Sequence, residues 1–320
     1  MLILEFLGLL LIITGAAWLL SIGAEILAEK YGANFAGSIL LALITTLPEY
    51  MFVFWAALKD QYAMAIGSAV GACTLLVTLG YGSVILFATS RLSRQPVDKI
   101  NLSSSTRIDA VYLIVTAVIA FLLALEGGGL DLKDAIILSA IFAIYVVQHY
   151  RMARGHMMTT EHNISAVDLR KAFILLIIGG VVIIFSAERF VEAMLHLATW
   201  IGISPVAIAI IVSPIASEMP EKVTAYLTVM RSGRLAEISV CNFIGSKINH
   251  NSLLLAVMPF VAVFRGGGNV PDVIGKPFIL MTVLTLIAGV SLSRRSLERW
   301  QGWLFLSLYF SMIVTAYLIR

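Results

Sequence analysis

The segment Ile44–Trp55 reads ITTLPEYMFVFW and sits within the apolar run Ala36–Leu58. A proline there removes one backbone donor and crowds the carbonyl four residues earlier, so Pro48 frees the carbonyl of Ile44. A freed carbonyl and the carboxylate of Glu49 are both costly in hydrocarbon unless they line a polar cavity or meet a cation. The pattern recurs. TTLPE at Thr45–Glu49 has a counterpart in SEMPE at Ser217–Glu221, where Pro220 frees the carbonyl of Ala216. Pro214, upstream of Pro220, is expected to widen the second break.

Composition sets the environment. The chain has 320 residues, 60% hydrophobic and 13% charged, with a mean hydropathy of +0.96. These values exclude a soluble globular domain and predict an all-α membrane protein with the bilayer as its surroundings. Ten crossings are predicted: Leu2–Ala28, Ala36–Leu58, Tyr62–Thr89, Ala110–Leu125, Ala135–Tyr150, Ala172–Thr199, Pro205–Met230, Ile238–Phe264, Phe278–Leu292 and Trp303–Ile319. Phe6–Ile22 lacks a basic leader and a small-residue cleavage site, so it reads as the first crossing and not as a signal peptide. Most Lys and Arg fall in alternate loops, including Arg91, Arg94, Lys99, Arg151, Arg154, Arg231, Arg234, Arg294 and Arg295. The opposite loops hold only Lys59, Lys133, Arg265, Lys276 and Arg320, which predicts a multi-pass protein of the cytoplasmic membrane with both termini outside.

The polar segment 151–171 reads as a central cytoplasmic loop. It divides the chain into residues 1–150 and 172–320, each with five crossings, so the halves would be inserted in opposite senses. Repeats follow in order: GAEILAEKYG near Gly23 with SAERFVEAML near Ser186, the two Pro-Glu motifs, and GSAVGACTLL (Gly67–Leu76) with CNFIGSKINH (Cys241–His250). The repeat units cover about residues 36–89 and 205–264. Inverted repeats with proline-interrupted helices at matching positions point to a secondary transporter with its site near the midplane. Carbonyl oxygens beside Glu49 and Glu221 are the donor set of a hard divalent metal ion, calcium before magnesium because calcium tolerates irregular mixed ligands.

The pair of repeats resembles the α-repeats of the sodium/calcium exchanger family, in the cation/calcium antiporter superfamily, and its short prokaryotic members above all. Their signatures are G-T-S-L-P-E and G-N-x-x-G-S-N-I-x-(N/D). The resemblance implies a calcium site at Glu49 and Glu221, ligation by Thr45 and Ser217, backbone carbonyls from Ala42 and Pro214 at flanking sodium sites, and a sodium-site hydroxyl at Ser246. Several positions depart from the pattern. Ala72 replaces a serine ligand, Leu76 an Asn or Asp, His250 an Asp or Asn, Glu218 a serine and Lys247 an asparagine, while Ile44 and Ala216 replace glycines. Together with Thr46, these residues are where coupling would differ from three-sodium exchange.

The plainer readings stand beside these. Glu218 can pair with Lys222 at i, i+4 or serve as a further ligand or proton carrier. Lys247 can pair structurally or take the place of a monovalent ion, and His250 can be a buried structural histidine or a proton carrier. His149, His156, His162 and His196 lack metal-ligand spacing and read as incidental. Glu25, Glu188, Arg189 and Glu192 read as solvated helix ends, with an interface or gate as the alternative. Gly127–Gly129 and Gly266–Gly268 read as turns, without the Lys and Ser/Thr of a phosphate loop. Cys73 and Cys241 read as buried thiols.

The expected function is a secondary active antiporter exchanging calcium for sodium or protons by alternating access. The first alternative is a calcium/proton or other divalent-cation/proton antiporter using His250 and Glu218. The second is a sensor or scaffold that moves no ion. No cofactor, nucleic-acid partner or enzymatic centre is expected; H-E-x-x-H is absent, and the monomer is the expected state.

Overall fold

The computed structural model describes residues 2–31, 41–157 and 165–318. The chain is helical, with two short strand ladders. Helix α1 (Leu2–Tyr31) is followed by α2 (Leu41–Thr45), α3 (Leu47–Leu58), α4 (Tyr62–Leu75), a π-helical turn (Leu76–Gly80) and α5 (Tyr81–Ala88). Strand β1 (Lys99–Asn101), α6 (Ser104–Glu126), β2 (Gly129–Asp131) and α7 (Leu132–Met157) complete the first half. The second half runs α8 (Ala166–Ile201), α9 (Pro205–Arg231), α10 (Ala236–Asn249), a π-helical turn (His250–Leu254), α11 (Leu255–Phe264), β3 (Asn269–Pro271), α12 (Lys276–Leu292), β4 (Ser296–Glu298) and α13 (Arg299–Leu318).

Among the described residues, six stretches are long and apolar enough to cross a bilayer: Leu2–Leu27, Tyr62–Ala88, Ser104–Glu126, Leu132–Arg151, Ala166–Ile201 and Gly233–Phe264. The other four predicted crossings fall on α2–α3, α9, α12 and α13. Of these, α9 carries Glu218, Glu221 and Lys222, and α3 and α12 are short. The predicted loop 151–171 is helical at both ends, because α7 continues to Met157 and α8 starts at Ala166. Ser165 sets that start, accepting hydrogen bonds from the backbone N–H of Val167 and Asp168. His162 lies outside the described residues.

The two proline motifs shape their helices differently. The first is a break: α2 ends at Thr45, Thr46 leaves helical geometry, and α3 restarts with Pro48 in its first turn, where a missing N–H costs nothing. The second break does not occur. Helix α9 runs unbroken through Pro214 and Pro220. The carbonyl that Pro214 frees, on Ile210, faces α4, where a Cβ built at Gly71 would overlap the Ile210 oxygen. One turn earlier, a Cβ at Gly67 would stand 2.8 Å from the Val206 carbonyl oxygen. The small residues of GSAVG therefore admit α9 backbone against α4.

Helices α1 and α8 also pack through small residues. A Cβ at Gly179 would stand 2.7 Å from the Ala16 carbonyl oxygen, and Ala16, Leu20 and Ile183 form a small apolar cluster between them. Their outer faces present Leu4, Leu11, Ile177 and Phe185 to the surroundings, as lipid contact requires. Past the end of α3, Lys59 bonds Glu192 at 2.7 Å and Glu188 at 3.0 Å, so these glutamates are tethered to a neighbouring helix and are not merely solvated ends. The hydrogen bond to Glu192 is the largest influence raising the Lys59 pKa.

The ladders order the rest. Strand β1 pairs antiparallel with β4, Ile100 opposite Leu297, and β2 pairs antiparallel with β3, Leu130 opposite Val270. Since β1 and β2 flank α6 while β3 and β4 flank α12, these two packed helices run in opposite directions. The π-helical turns begin at Leu76 and His250, which are equivalent positions in the sequence repeat.

Gly71→Ala is expected to cost about 1–3 kcal/mol of stability by forcing α4 from α9. Gly8, with no atom within 4 Å of its built Cβ, is the control. Thermal unfolding of the two variants in one detergent measures the difference.

Candidate functional site

The polar side chains gather where α2–α3, α9 and α10 meet. Glu49 in the first turn of α3 is 1% exposed, as is Glu218 on α9, while Glu221 is 3% exposed and Lys222, Lys247 and His250 are fully buried. Such density of buried charge in a membrane protein demands pairing or an ion.

Glu221 is paired across the halves. Thr45 Oγ1 donates to its Oε2 at 3.2 Å, and Ser246 Oγ donates to its Oε1 at 3.1 Å. Glu218 takes Lys222 as its partner, Nζ to Oε2 at 3.0 Å across one turn of α9. The Lys222 ammonium also donates to the Glu218 carbonyl at 3.3 Å. The predicted i, i+4 pair therefore forms because α9 is continuous there. The Ser217 hydroxyl faces Glu49 and donates to the Ser213 carbonyl at 3.0 Å.

Three groups of the cluster remain. Glu49 Oε2 is buried without a hydrogen-bond partner, and Glu218 Oε1 and His250 Nε2 are buried facing each other as a carboxylate–imidazole pair. Glu49, Glu218 and His250 each offer one ligand-capable atom, and the three atoms lie within 4.8 Å of one another. Glu218 Oε1 lies 3.4 Å from His250 Nε2. The other imidazole nitrogen, Nδ1, is 2.5 Å from the Ser246 carbonyl oxygen. A carbonyl only accepts, so Nδ1–H is the donor of that bond and Nε2 is turned toward Glu218.

Thr45, Glu49, Ser217, Glu218, Glu221, Ser246 and His250 thus meet in one region. Glu221 lies outside the converging group of three, with both oxygens engaged by hydroxyls. Lys247 donates to Asn251 Oδ1 at 2.9 Å and faces Cys73. Ala72 and Leu76 are fully buried and bring no side-chain oxygen, Pro214 is buried in α9, and of Ala42 only the backbone is described, in α2.

The support around the site was not read from the sequence. Asn249 donates to Thr46 Oγ1 at 2.8 Å and accepts from the Tyr50 hydroxyl, tying α10 to the broken helix. Thr46 donates in turn to the Leu43 carbonyl at 3.3 Å, and Ser68 bonds Ser213 at 2.6 Å between α4 and α9. The polar run Asn249-His250-Asn251 in an apolar crossing was the available signal. His149 also differs from its expected incidental place: it is buried, 2.5 Å from Asp109 Oδ1, and packed on Tyr145.

Residues 1–150 and 171–318 match the sodium/calcium exchanger protein family. The chain belongs to this family. It is 24% identical to the inner membrane protein YrbG of Escherichia coli, over 92% of this chain and 89% of that protein. Among solved structures it resembles the H+/Ca2+ exchanger CAX, with a TM-score of 0.80, 20% identity and coverage of 98% of this chain and 82% of that one. It also resembles the sodium-calcium exchanger NCX_Mj, with a TM-score of 0.70, 20% identity and coverage of 98% and 97%. At these identities the likeness concerns the fold. The chain is a multi-pass membrane protein of a cation/calcium exchanger family, and not an enzyme.

Lys222→Met leaves Glu218 buried without its cation and is expected to cost about 3–5 kcal/mol. Adding Glu218→Gln is expected to restore most of that loss, as a double-mutant cycle of thermal unfolding would measure.

Proposed function

We propose that this protein is a secondary active antiporter that exchanges a divalent cation for protons across the cytoplasmic membrane. Its two five-crossing halves are inverted repeats, both termini lie outside, and the site alternates between the two faces. The single observation that carries the reading is the gathering of one buried ligand-capable atom each from Glu49, Glu218 and His250 within 4.8 Å of one another. Two buried carboxylates and an imidazole brought this close are stabilised by a cation, whether metal or proton.

The inverted arrangement is supported by the opposed α6 and α12 and by the two π-helical turns at equivalent positions. Protons are favoured over sodium because Ala72 and Leu76 offer no side-chain oxygen, while Glu49, Glu218 and His250 offer atoms that can take a proton. Competition couples the two fluxes: the metal leaves when protons take its place on the same atoms. Helices α1 and α8, packed through small residues, are the pair suited to move against the rest. The scaffold reading loses its motive, because Lys247 is bonded to Asn251 and not to Glu49 or Glu221 among the described contacts.

The test is divalent-cation uptake into proteoliposomes under an imposed pH gradient, an imposed sodium gradient, or neither. Uptake driven by the pH gradient, and lowered at least about tenfold in Glu49→Gln, is the expected result; in barrier terms tenfold is about 1.4 kcal/mol. Flux that ignores both gradients and survives Glu49→Gln would overturn the antiporter.

A further inference from the structure

We infer that the divalent substrate is a first-row transition cation of the manganese-to-zinc series, ligated by His250 Nε2 together with the carboxylates of Glu49 and Glu218. The inference rests on the antiporter reading for its transport role, and on the donor atoms alone for its chemistry.

The first argument is the nitrogen. Calcium is held by six to eight oxygens, and an imidazole contributes little to it. Manganese, cobalt and zinc accept imidazole together with carboxylate, with affinity rising through the Irving–Williams order. A histidine among the three convergent donors therefore selects against calcium.

Oxygen supply is the second. Both Glu221 oxygens are engaged by Thr45 and Ser246, and Glu218 Oε2 is held by Lys222. Glu49 and Glu218 are the carboxylates that bring an oxygen within 4.8 Å of the His250 ligand atom. Two carboxylates and one imidazole nitrogen are the donor set of a transition-metal site, which needs fewer ligands than a calcium shell and no further carboxylate.

The third is orientation. Metal-bound histidines characteristically donate the N–H of their other nitrogen to a carbonyl or carboxylate, which fixes the tautomer and aims the free lone pair. His250 does this with the Ser246 carbonyl at 2.5 Å. The 3.4 Å between His250 Nε2 and Glu218 Oε1 fits two donors each about 2.0–2.2 Å from one tetrahedral ion, which stand roughly 3.3–3.6 Å apart. The π-helical turn beginning at His250 supplies the local distortion, as such turns frequently do at functional sites.

The experiment uses the full chain, purified without a histidine tag. Cobalt(II) binding is followed by its visible absorption and challenged with calcium, manganese or zinc; proteoliposome uptake of calcium and manganese is measured in parallel under a pH gradient. The expected result is a cobalt spectrum of tetrahedral or five-coordinate type, displaced readily by zinc, only by an excess of manganese, and resistant to a roughly hundredfold excess of calcium, with manganese uptake exceeding calcium uptake. His250→Asp, which exchanges the nitrogen for oxygen, is expected to move the cobalt-to-calcium preference toward calcium by about tenfold or more. The wild-type competition needs no variant, so a failure of His250→Asp to fold leaves the inference testable.

Calcium that displaces cobalt at equal concentration, an unchanged preference in folded His250→Asp, or no binding of any transition cation would overturn the inference. Calcium uptake that depends on Glu49, with no manganese uptake, would overturn it and leave the antiporter standing. Cobalt binding that depends on His250, with no driven flux of any cation, would support the site and overturn the antiporter.

Discussion

The arrangement depends on one constraint: buried carboxylates cannot stand close together in a low-dielectric interior without positive charge between them. Glu49, Glu218 and His250 do face one another, from α3, α9 and the π-helical turn after α10. Much of what surrounds them limits the number of such atoms. Lys222 takes one oxygen of Glu218, two hydroxyls take both oxygens of Glu221, and the Ser246 carbonyl takes the His250 N–H. What is left is one oxygen of Glu49 beside a carboxylate–imidazole pair, close enough together for a single cation to serve all three groups.

Thr45 is in the first half of the sequence and Glu221 in the second, so that hydrogen bond makes the halves one site. The same holds for Asn249 with Thr46 and Tyr50, and for Ser68 with Ser213. Glycines make these approaches short. Without Gly67 and Gly71, α4 could not come close enough to α9 for hydroxyls as short as serine's to meet.

Much of the fold was legible because hydropathy and the proline motifs are strong signals. Tyr62–Thr89 and Ile238–Phe264 were predicted to within a few residues of the observed helical stretches. The ends of α7 and α8 were missed, since helix that leaves the apolar layer carries polar residues and hydropathy no longer marks it. The break expected at Pro220 also failed: proline removes one hydrogen bond, and whether the helix opens depends on what the neighbour does with the freed carbonyl. At Thr46 the chain opened; in α9 the helix continued. The polar residues gathered at the candidate site were legible by type, but their partnership was not. Sequence paired Glu49 with Glu221 by symmetry, whereas Glu218, which breaks that symmetry, stands with Glu49 and His250. Asn249 and Tyr50 are far apart in the chain, and nothing local announces their bond.

The two strand ladders carry a further consequence. Each splices a loop of one half to a loop of the other, at opposite ends of α6. The ends of α6 and α12 are thus held by backbone hydrogen bonds that cross between the first and second halves of the sequence, like two hands clasped at fingertips and wrists. Side chains that correspond in the sequence repeat nevertheless keep different company, Glu221 with Thr45 and Ser246 and Glu49 with Glu218 and His250.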